Sequence, residues 1–497
     1  MTRKELLRWL AIFALLTLFS TGRWALAPVA WIAPALGLYI IHRTSAPRGF
    51  FLLYAAIFVP TSIAWYGAVP FPMPIYPIFM LFNAFVATLP FLFDRLITPR
   101  LGQHFATTLL FPVAATAVEY VMMADGPLGS FGAQAYTQYD LAPVTQLASV
   151  TGLWGITFLV SWFASVVHWA VGRHESGQPY RRGATVYGAV AATILLLGAA
   201  RLLAAPQPQE SVTVASFTAA HTEMGEMMGL RATDEAAFRE RTRAQHAAYL
   251  EQTVQAAETE AQIVLWPELA GLGMADDVEQ LVASGQALAD EHDLYLAMPL
   301  YVIDPAGEAL SVNKIVVADP EGAIVLEHVK YGGNILEGSQ PGSRELQTVE
   351  TPFGTLSAVI CWDTDYPGVM RQAGQQNVDI LLSPAYVWPE VAAIHAEMAT
   401  FRSIENGVTV VRQSDNGFSQ VSDPYGRVVA QENHVGQEGA MMTALAPVMP
   451  TRTLYPIVGD IVGQLSVVGL VLAIVAVVAQ RFLRARRERQ PMTAEVA

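Results

Sequence analysis

Three chemically capable side chains each stand at the end of an apolar run: Glu268 in "IVLWPELAG", Lys330 in "IVLEHVKYGG" and Cys361 in "LSAVICWD". Cys361 is the one cysteine in 497 residues, which excludes an intramolecular disulfide framework and a multi-cysteine metal site. A thiol becomes a nucleophile when a neighbouring group takes its proton. Histidine is the common partner, yet His221, His246, His292, His328, His395 and His434 show no local pattern with Cys361. The carboxylate and the ammonium suit the task better. A glutamate in a partly desolvated pocket can act as general base toward the thiol. A lysine beside it favours the thiolate and then holds the oxyanion of a tetrahedral intermediate, with the backbone N–H after the cysteine as second donor. Such a set performs acyl transfer through a thioester. Singly, each residue has a plainer reading: a small buried hydrophobe, a loop carboxylate, a solvated lysine. The weight lies in the set, because strand ends are where α/β enzymes support reactive groups rigidly.

Those strand ends belong to a segment with more charge than the rest. "SVTVASF", "AQIVLW", "DLYLAMPLYVI", "NKIVVADPEGAIVLEHVK" (turning at Pro320, Glu321 and Gly322), "GTLSAVICW", "VDILLSPA" and "VTVVRQS" read as strands, with a hairpin turning at "DPYG". "DEAAFRERTRAQHAAYLEQTVQAAE" reads as a surface helix and Glu390 to Asn406 as another. The alternation defines a layered α/β domain over 206–455.

The remainder is a membrane sequence. The chain is 53% hydrophobic and 14% charged, where soluble domains carry about 25% charge. Seven apolar stretches precede residue 205, and an eighth, "IVGQLSVVGLVLAIVAVVA", follows the α/β segment; each approaches the roughly 20 residues a bilayer-crossing helix needs. The first has no small-residue cleavage site before the second begins, and is read as retained. Basic residues mark alternate ends: Arg3, Lys4 and Arg8, then Arg43 and Arg48, Arg95 and Arg100, Arg173, Arg181 and Arg182, and finally "RFLRARRER". Both termini are therefore expected in the cytoplasm and 206–455 outside it. A formal charge of −14 with no basic domain excludes nucleic acid as partner. Glu119, near the end of the fifth stretch, either reaches water at the interface or lies beside a partner or wet cavity.

With "WPE", the strand-end lysine and "VICWD" in that order, the α/β segment resembles the nitrilase (carbon–nitrogen hydrolase) superfamily. Its place between the seventh and eighth stretches is similar to the membrane-embedded branch, the apolipoprotein N-acyltransferase family. So are "GSFGAQAYTQYDLAPVTQLASVTGLWGITFLV", "SVNKIVVADPEGAIVLEHVK", "HAEMATFRSIENGVTVVRQSDNGFSQVSDPYGRVV" and "TRTLYPIVGD". The resemblance implies a polytopic membrane domain of eight transmembrane helices (1–205 and 456–497) and an extracytoplasmic α/β nitrilase-like αββα sandwich (206–455). It implies Glu268 as general base, Lys330 as oxyanion stabiliser and Cys361 as nucleophile, with Glu337 orienting the lysine and Trp362 and Asp363 in support. It implies a phospholipid acyl donor, the N-terminal amine of a diacylglyceryl-cysteine lipoprotein as acceptor, no cofactor or metal, and the bacterial cytoplasmic membrane.

The sequence departs from the family in three places. Tyrosine and glutamate usually follow the cysteine, where Trp362 and Asp363 stand here; the loop after the lysine is "YGGNILEG"; and "SVTVASFTAAHTEMGEMMG" lacks the usual polar pattern. A membrane-anchored amidase or hydrolase, or a transferase with another amine acceptor, therefore remains as the alternative. Arg402, Glu405 and Arg412 read as an internal brace, His395 as a packed or solvated helix residue, and "EMGEMMGL" as either an apolar lip or core.

Overall fold

The computed structural model describes residues 1–489 apart from 103, 222 and 308; the end of the basic tail, 490–497, lies outside the described residues. All eight apolar stretches are helical. In chain order they are α1 (Arg3–Leu18), α2 (Ala27–His42), α3 (Ala46–Ala64), α4 (Ile75–Leu101), α5 (Leu110–Met123), α6 (Leu153–Glu175), α7 (Arg181–Leu203) and, after the α/β domain, Ile461–Arg489. Among the described residues, six helices are long and apolar enough to cross a membrane, counting the turn Phe105–Leu109 with α5. The first two are shorter, at 16 residues each; at 1.5 Å per residue each spans about 24 Å against a hydrocarbon core of about 30 Å. Lipid-facing sides of the long helices explain the many exposed leucines, valines and isoleucines, such as Leu196 and Leu197 of α7 and Leu472 of the last helix.

Between the seventh and last helices stand two sheets. One has the order β13 (Met441–Val448), β1 (Glu210–Phe217), β2 (Ile263–Leu265), β4 (Tyr295–Ile303), β5 (Val312–Ala318) and β6 (Ile324–Val329), with β3 (Gly271–Met274) also paired to β4. The other has the order β12 (Val428–Asn433), β11 (Phe418–Ser422), β10 (Thr409–Asp415), β9 (Ile380–Tyr386), β8 (Gly354–Ala358) and β7 (Thr348–Thr351). Val214, Leu265 and Val317 of the first sheet share one apolar core with Leu356, Leu382 and Val411 of the second. The opposite face of the first sheet packs on the helices Glu235–Ala257 and Ala275–His292, through Tyr249, Val278 and Leu281. That of the second packs on Pro367–Gln375, through Met370 and Ala373. The result is a helix–sheet–sheet–helix sandwich. Strands covered on both faces carry apolar side chains on both faces, which is why they read as continuous runs in the sequence.

Local signals fix the helix ends. Asp234 caps Glu235–Ala257 by accepting from the Ala237 N–H at 3.0 Å, and Arg239 ties that helix to the next through Asp276 and Asp277.

Candidate active site

Glu268, Lys330 and Glu337 converge from three loops on the first sheet. Glu268 follows β2 across Trp266 and Pro267, Lys330 is the residue after β6, and Glu337 ends the helical turn Asn334–Glu337. Lys330 is wholly buried. Its Nζ donates to Glu268 Oε1 at 2.7 Å and also to Glu337 Oε1. Asn313 of β5 donates from one amide nitrogen to Glu268 Oε1 at 2.8 Å and to Glu337 Oε2 at 3.0 Å. The Asn313 carbonyl accepts the Lys330 N–H at 2.8 Å. Two carboxylates thus share one ammonium and one amide. Asn313 was not among the expected residues; its signal was a polar side chain inside the apolar strand "VNKIVVA".

Cys361 comes from the second sheet. Its apolar run continues through Ile360, but strand pairing ends at Ala358. The chain then turns sharply, and Cys361 opens a 3₁₀ turn, Cys361–Asp365, with φ of 45°. A left-handed conformation at a non-glycine residue is strained; here it lifts the thiol off the sheet end. The Sγ donates to the Tyr386 carbonyl at 3.6 Å, while the Tyr386 N–H donates to Glu268 Oε2 at 2.9 Å. One peptide residue therefore touches both thiol and carboxylate, a link invisible in the sequence because only its backbone takes part.

Asp363 braces the turn. Its carboxylate accepts from the N–H groups of Tyr331 and Gly332 at 2.8 Å each and from Ile360 at 2.9 Å, and lies 2.8 Å from His328 Nε2. The short aspartate thus fastens the cysteine turn to the segment directly after Lys330. Trp362 points elsewhere: its Nε1 donates to the Leu128 carbonyl at 3.2 Å and its ring meets Phe131 at 5.5 Å, both in the loop between α5 and α6.

The charges are unevenly placed. Burial pushes the Cys361 thiol well up, reinforced by Glu268, while Lys330 and Arg412 pull it down. Burial opposes the Lys330 ammonium, but Glu268 and Glu337 outweigh it and hold Lys330 well above the usual lysine value. Burial likewise raises Glu337, against the pull of Lys330. Burial thus favours the neutral thiol at Cys361, while the two carboxylates keep Lys330 charged.

The cysteine turn is docked on the membrane helices. The Asp365 carbonyl accepts from the Ser130 N–H at 2.6 Å and from its hydroxyl at 2.8 Å, and Tyr366 donates to the Pro127 carbonyl at 2.9 Å. Gly129 is obligatory here: it has φ of 55°, and a Cβ would sit 2.3 Å from the Asp365 oxygen. Beside this loop the membrane helices line a half-open cavity of about 540 Å³, bordered among others by Phe13, Phe91, Phe111, Leu128 and Phe131. Glu119 lines it too, accepting from the Gln134 N–H at 2.5 Å, which favours the reading of a partnered acid beside a cavity.

The remaining residues resolve as follows. Arg402 and Glu405 form a buried ion pair at 3.2 Å, a brace as expected, and Arg402 also donates to Tyr136 at 3.1 Å. Arg412 lies apart from that pair, 3.0 Å from His395, which is buried and packed. In "EMGEMMGL", Met227 is core, packed with Phe238 and Leu272, and Met224 and Met228 border the same cluster.

Two sheets with helices outside, and a cysteine, lysine and glutamates gathered at their ends, define a carbon–nitrogen hydrolase domain joined to membrane helices. Residues 213–449 match the carbon-nitrogen hydrolase family and residues 13–166 the apolipoprotein N-acyltransferase N-terminal domain. The chain belongs to the apolipoprotein N-acyltransferase family. It is 23% identical to the apolipoprotein N-acyltransferase of Geobacter metallireducens, over 81% of this chain and 82% of that one. It is 28% identical to that of Bradyrhizobium diazoefficiens, over 71% and 70%. Among solved structures, it is similar to an amidase from Nesterenkonia sp., at 19% identity over 49% of this chain and 92% of that one, with a TM-score of 0.38.

Proposed function

We propose that this chain moves a fatty acyl group from a membrane phospholipid, through a thioester on Cys361, to the N-terminal amine of a diacylglyceryl-cysteine lipoprotein. The observation that carries the reading is the docking of the cysteine turn on the membrane-domain loop, through Ser130 and Asp365, beside an apolar cavity. A nucleophile held there meets lipid esters without extracting them from the bilayer.

In the first step Glu268 takes the thiol proton and the thiolate adds to the ester carbonyl. Lys330 and the N–H after Cys361 hold the oxyanion. The carbon–oxygen bond breaks, the lysophospholipid alkoxide receives the proton from Glu268, and the acyl group stays on sulfur. In the second step the amine adds to the thioester, Glu268 takes its proton, the carbon–sulfur bond breaks, and the proton returns to Cys361. Glu337 and Asn313 keep Lys330 and Glu268 in register. No metal or dissociable cofactor takes part.

The reading includes eight transmembrane helices in 1–205 and 456–497, both termini in the cytoplasm, and a catalytic domain at 206–455 on the outer side of the bacterial cytoplasmic membrane. The distribution of basic residues supports it. The test is mass spectrometry of the purified full chain after incubation with a defined phospholipid, then with a diacylglyceryl lipopeptide. An acyl adduct on Cys361 that passes to the peptide amine is expected. Release of free fatty acid with no acylated peptide would establish a hydrolase instead.

A further inference from the structure

Arg412 is wholly buried in β10, in register with Ser383 of the parallel strand β9. On the far side of β9, the Val359 N–H donates to Leu382, so the chain leaves β8 for the cysteine turn at the level of Arg412. The guanidinium Nη2 lies 3.0 Å from His395 Nδ1, and His395 Nε2 lies 2.9 Å from Asp365 Oδ2. A guanidinium only donates, so His395 Nδ1 accepts and its Nε2–H donates to Asp365. That tautomer is the neutral one, and burial favours it by lowering the imidazole pKa. Asp365 is the last residue of the turn that Cys361 begins. Arg412 is therefore aimed by a chain of contacts that ends on the nucleophile's own turn.

The charge balance gives this arrangement a purpose. Lys330 is shared by two carboxylates, so with both ionised the Glu268–Lys330–Glu337 group carries a net charge of −1. A thiolate forming beside it adds a second negative charge. Arg412 forms no ion pair with a carboxylate among the described residues. Its Nε and Nη1 are shut from solvent with no hydrogen-bond partner among them. Leaving such donors buried is costly. The charges that act on Arg412 are those of Cys361, Asp365 and Glu268, and those that act on Cys361 are Glu268, Lys330, Arg412 and Glu337.

We propose that Arg412 is a positioning residue for the nucleophile: a second buried cation, aimed by His395 and Asp365, that supports the Cys361 thiolate where Lys330 is neutralised by its carboxylates. This rests on Cys361 being the nucleophile, but not on what it acylates. Cys361 is the one cysteine in the chain, so its alkylation can be followed without background. The experiment measures the rate of iodoacetamide alkylation against pH for the full chain in detergent, as wild type, Arg412→Met, Arg412→Lys and His395→Asn. Arg412→Met is expected to move the half-titration upward by about one pH unit or more, the usual effect of losing a nearby opposite charge. Arg412→Lys should stay close to wild type, and His395→Asn should shift the same way by less. A profile for folded Arg412→Met that superimposes on wild type overturns the proposal. If that variant does not fold, an unshifted His395→Asn profile does so. Absence of acyl transfer by the wild type, with the shifts present, would overturn the proposed function and leave this assignment standing.

Discussion

Asp363, two residues after Cys361, and Tyr331, one residue after Lys330, are joined by a 2.8 Å hydrogen bond from the Tyr331 N–H to Asp363 Oδ1. With the matching bond from Gly332, one buried carboxylate sets the spacing between the lysine of one sheet and the cysteine of the other. Asp363→Asn replaces one accepting oxygen by a donor and strands at least one buried N–H. A loss of about 1–3 kcal/mol is expected from thermal or denaturant unfolding, together with slower thioester formation. A variant that melts and turns over like wild type would show the link to be idle.

Lys330 and Glu268 share a 2.7 Å contact shut away from water. Lys330→Met leaves two carboxylates buried beside an apolar chain, and unfolding measurements should register roughly 3–5 kcal/mol of lost stability. Glu268→Gln keeps the volume and, with its amide oxygen toward the Tyr386 N–H, that hydrogen bond, but its NH2 then faces the Lys330 and Asn313 donors, so it loses stability as well as the group that takes the proton. The acyl-enzyme burst should slow by a factor on the order of 10²–10⁴, and a burst of wild-type rate would remove Glu268 from the role of base.

His221 bridges Asp415 at 2.9 Å and Glu223 at 3.0 Å, at the entry to the helix Met224–Thr233 that packs near Tyr386 and Leu269. The Asp415 hydrogen bond, against partial burial, raises its pKa from 6.5 to about 9. A raised folded-state pKa gives stability that is present in full below about pH 6.5 and fades as pH rises through about 9. The Tm difference between wild type and His221→Gln should therefore be constant at low pH and close to zero above pH 9. A difference that grows with pH contradicts the assignment.

Trp362 and Ser130 connect the cysteine turn to the membrane loop. Trp362→Phe and Ser130→Ala each remove about 1 kcal/mol of hydrogen bonding without touching the thiol, the lysine or the carboxylates. Acyl transfer from phospholipid in vesicles should fall more than alkylation of Cys361 by iodoacetamide. Equal losses in both assays would mean that the contacts serve the thiol and not lipid access.

The sequence by itself placed the strands, the apolar helices and the strand-end positions of Glu268, Lys330 and Cys361, because each is a local matter: a run of side chains covered on two faces, a helix facing lipid, a polar or thiol side chain just beyond an apolar run. Glu337 was suggested only by the resemblance to a family, and the structure sets it against Lys330 and Asn313. The sequence missed Asn313, whose role appears only where β5 passes between two carboxylates, and Tyr386, which acts through its backbone. The left-handed turn at Cys361 was hidden because the apolar run outlasts the strand pairing by two residues. Trp362 and Asp363 stood out only as departures from a motif; that one grips the membrane loop and the other the lysine loop depends on partners 234 and 32 residues away. Hydrogen bonds over such separations leave no periodic trace along the chain. They exist only once both sheets and the membrane helices have closed around the same turn.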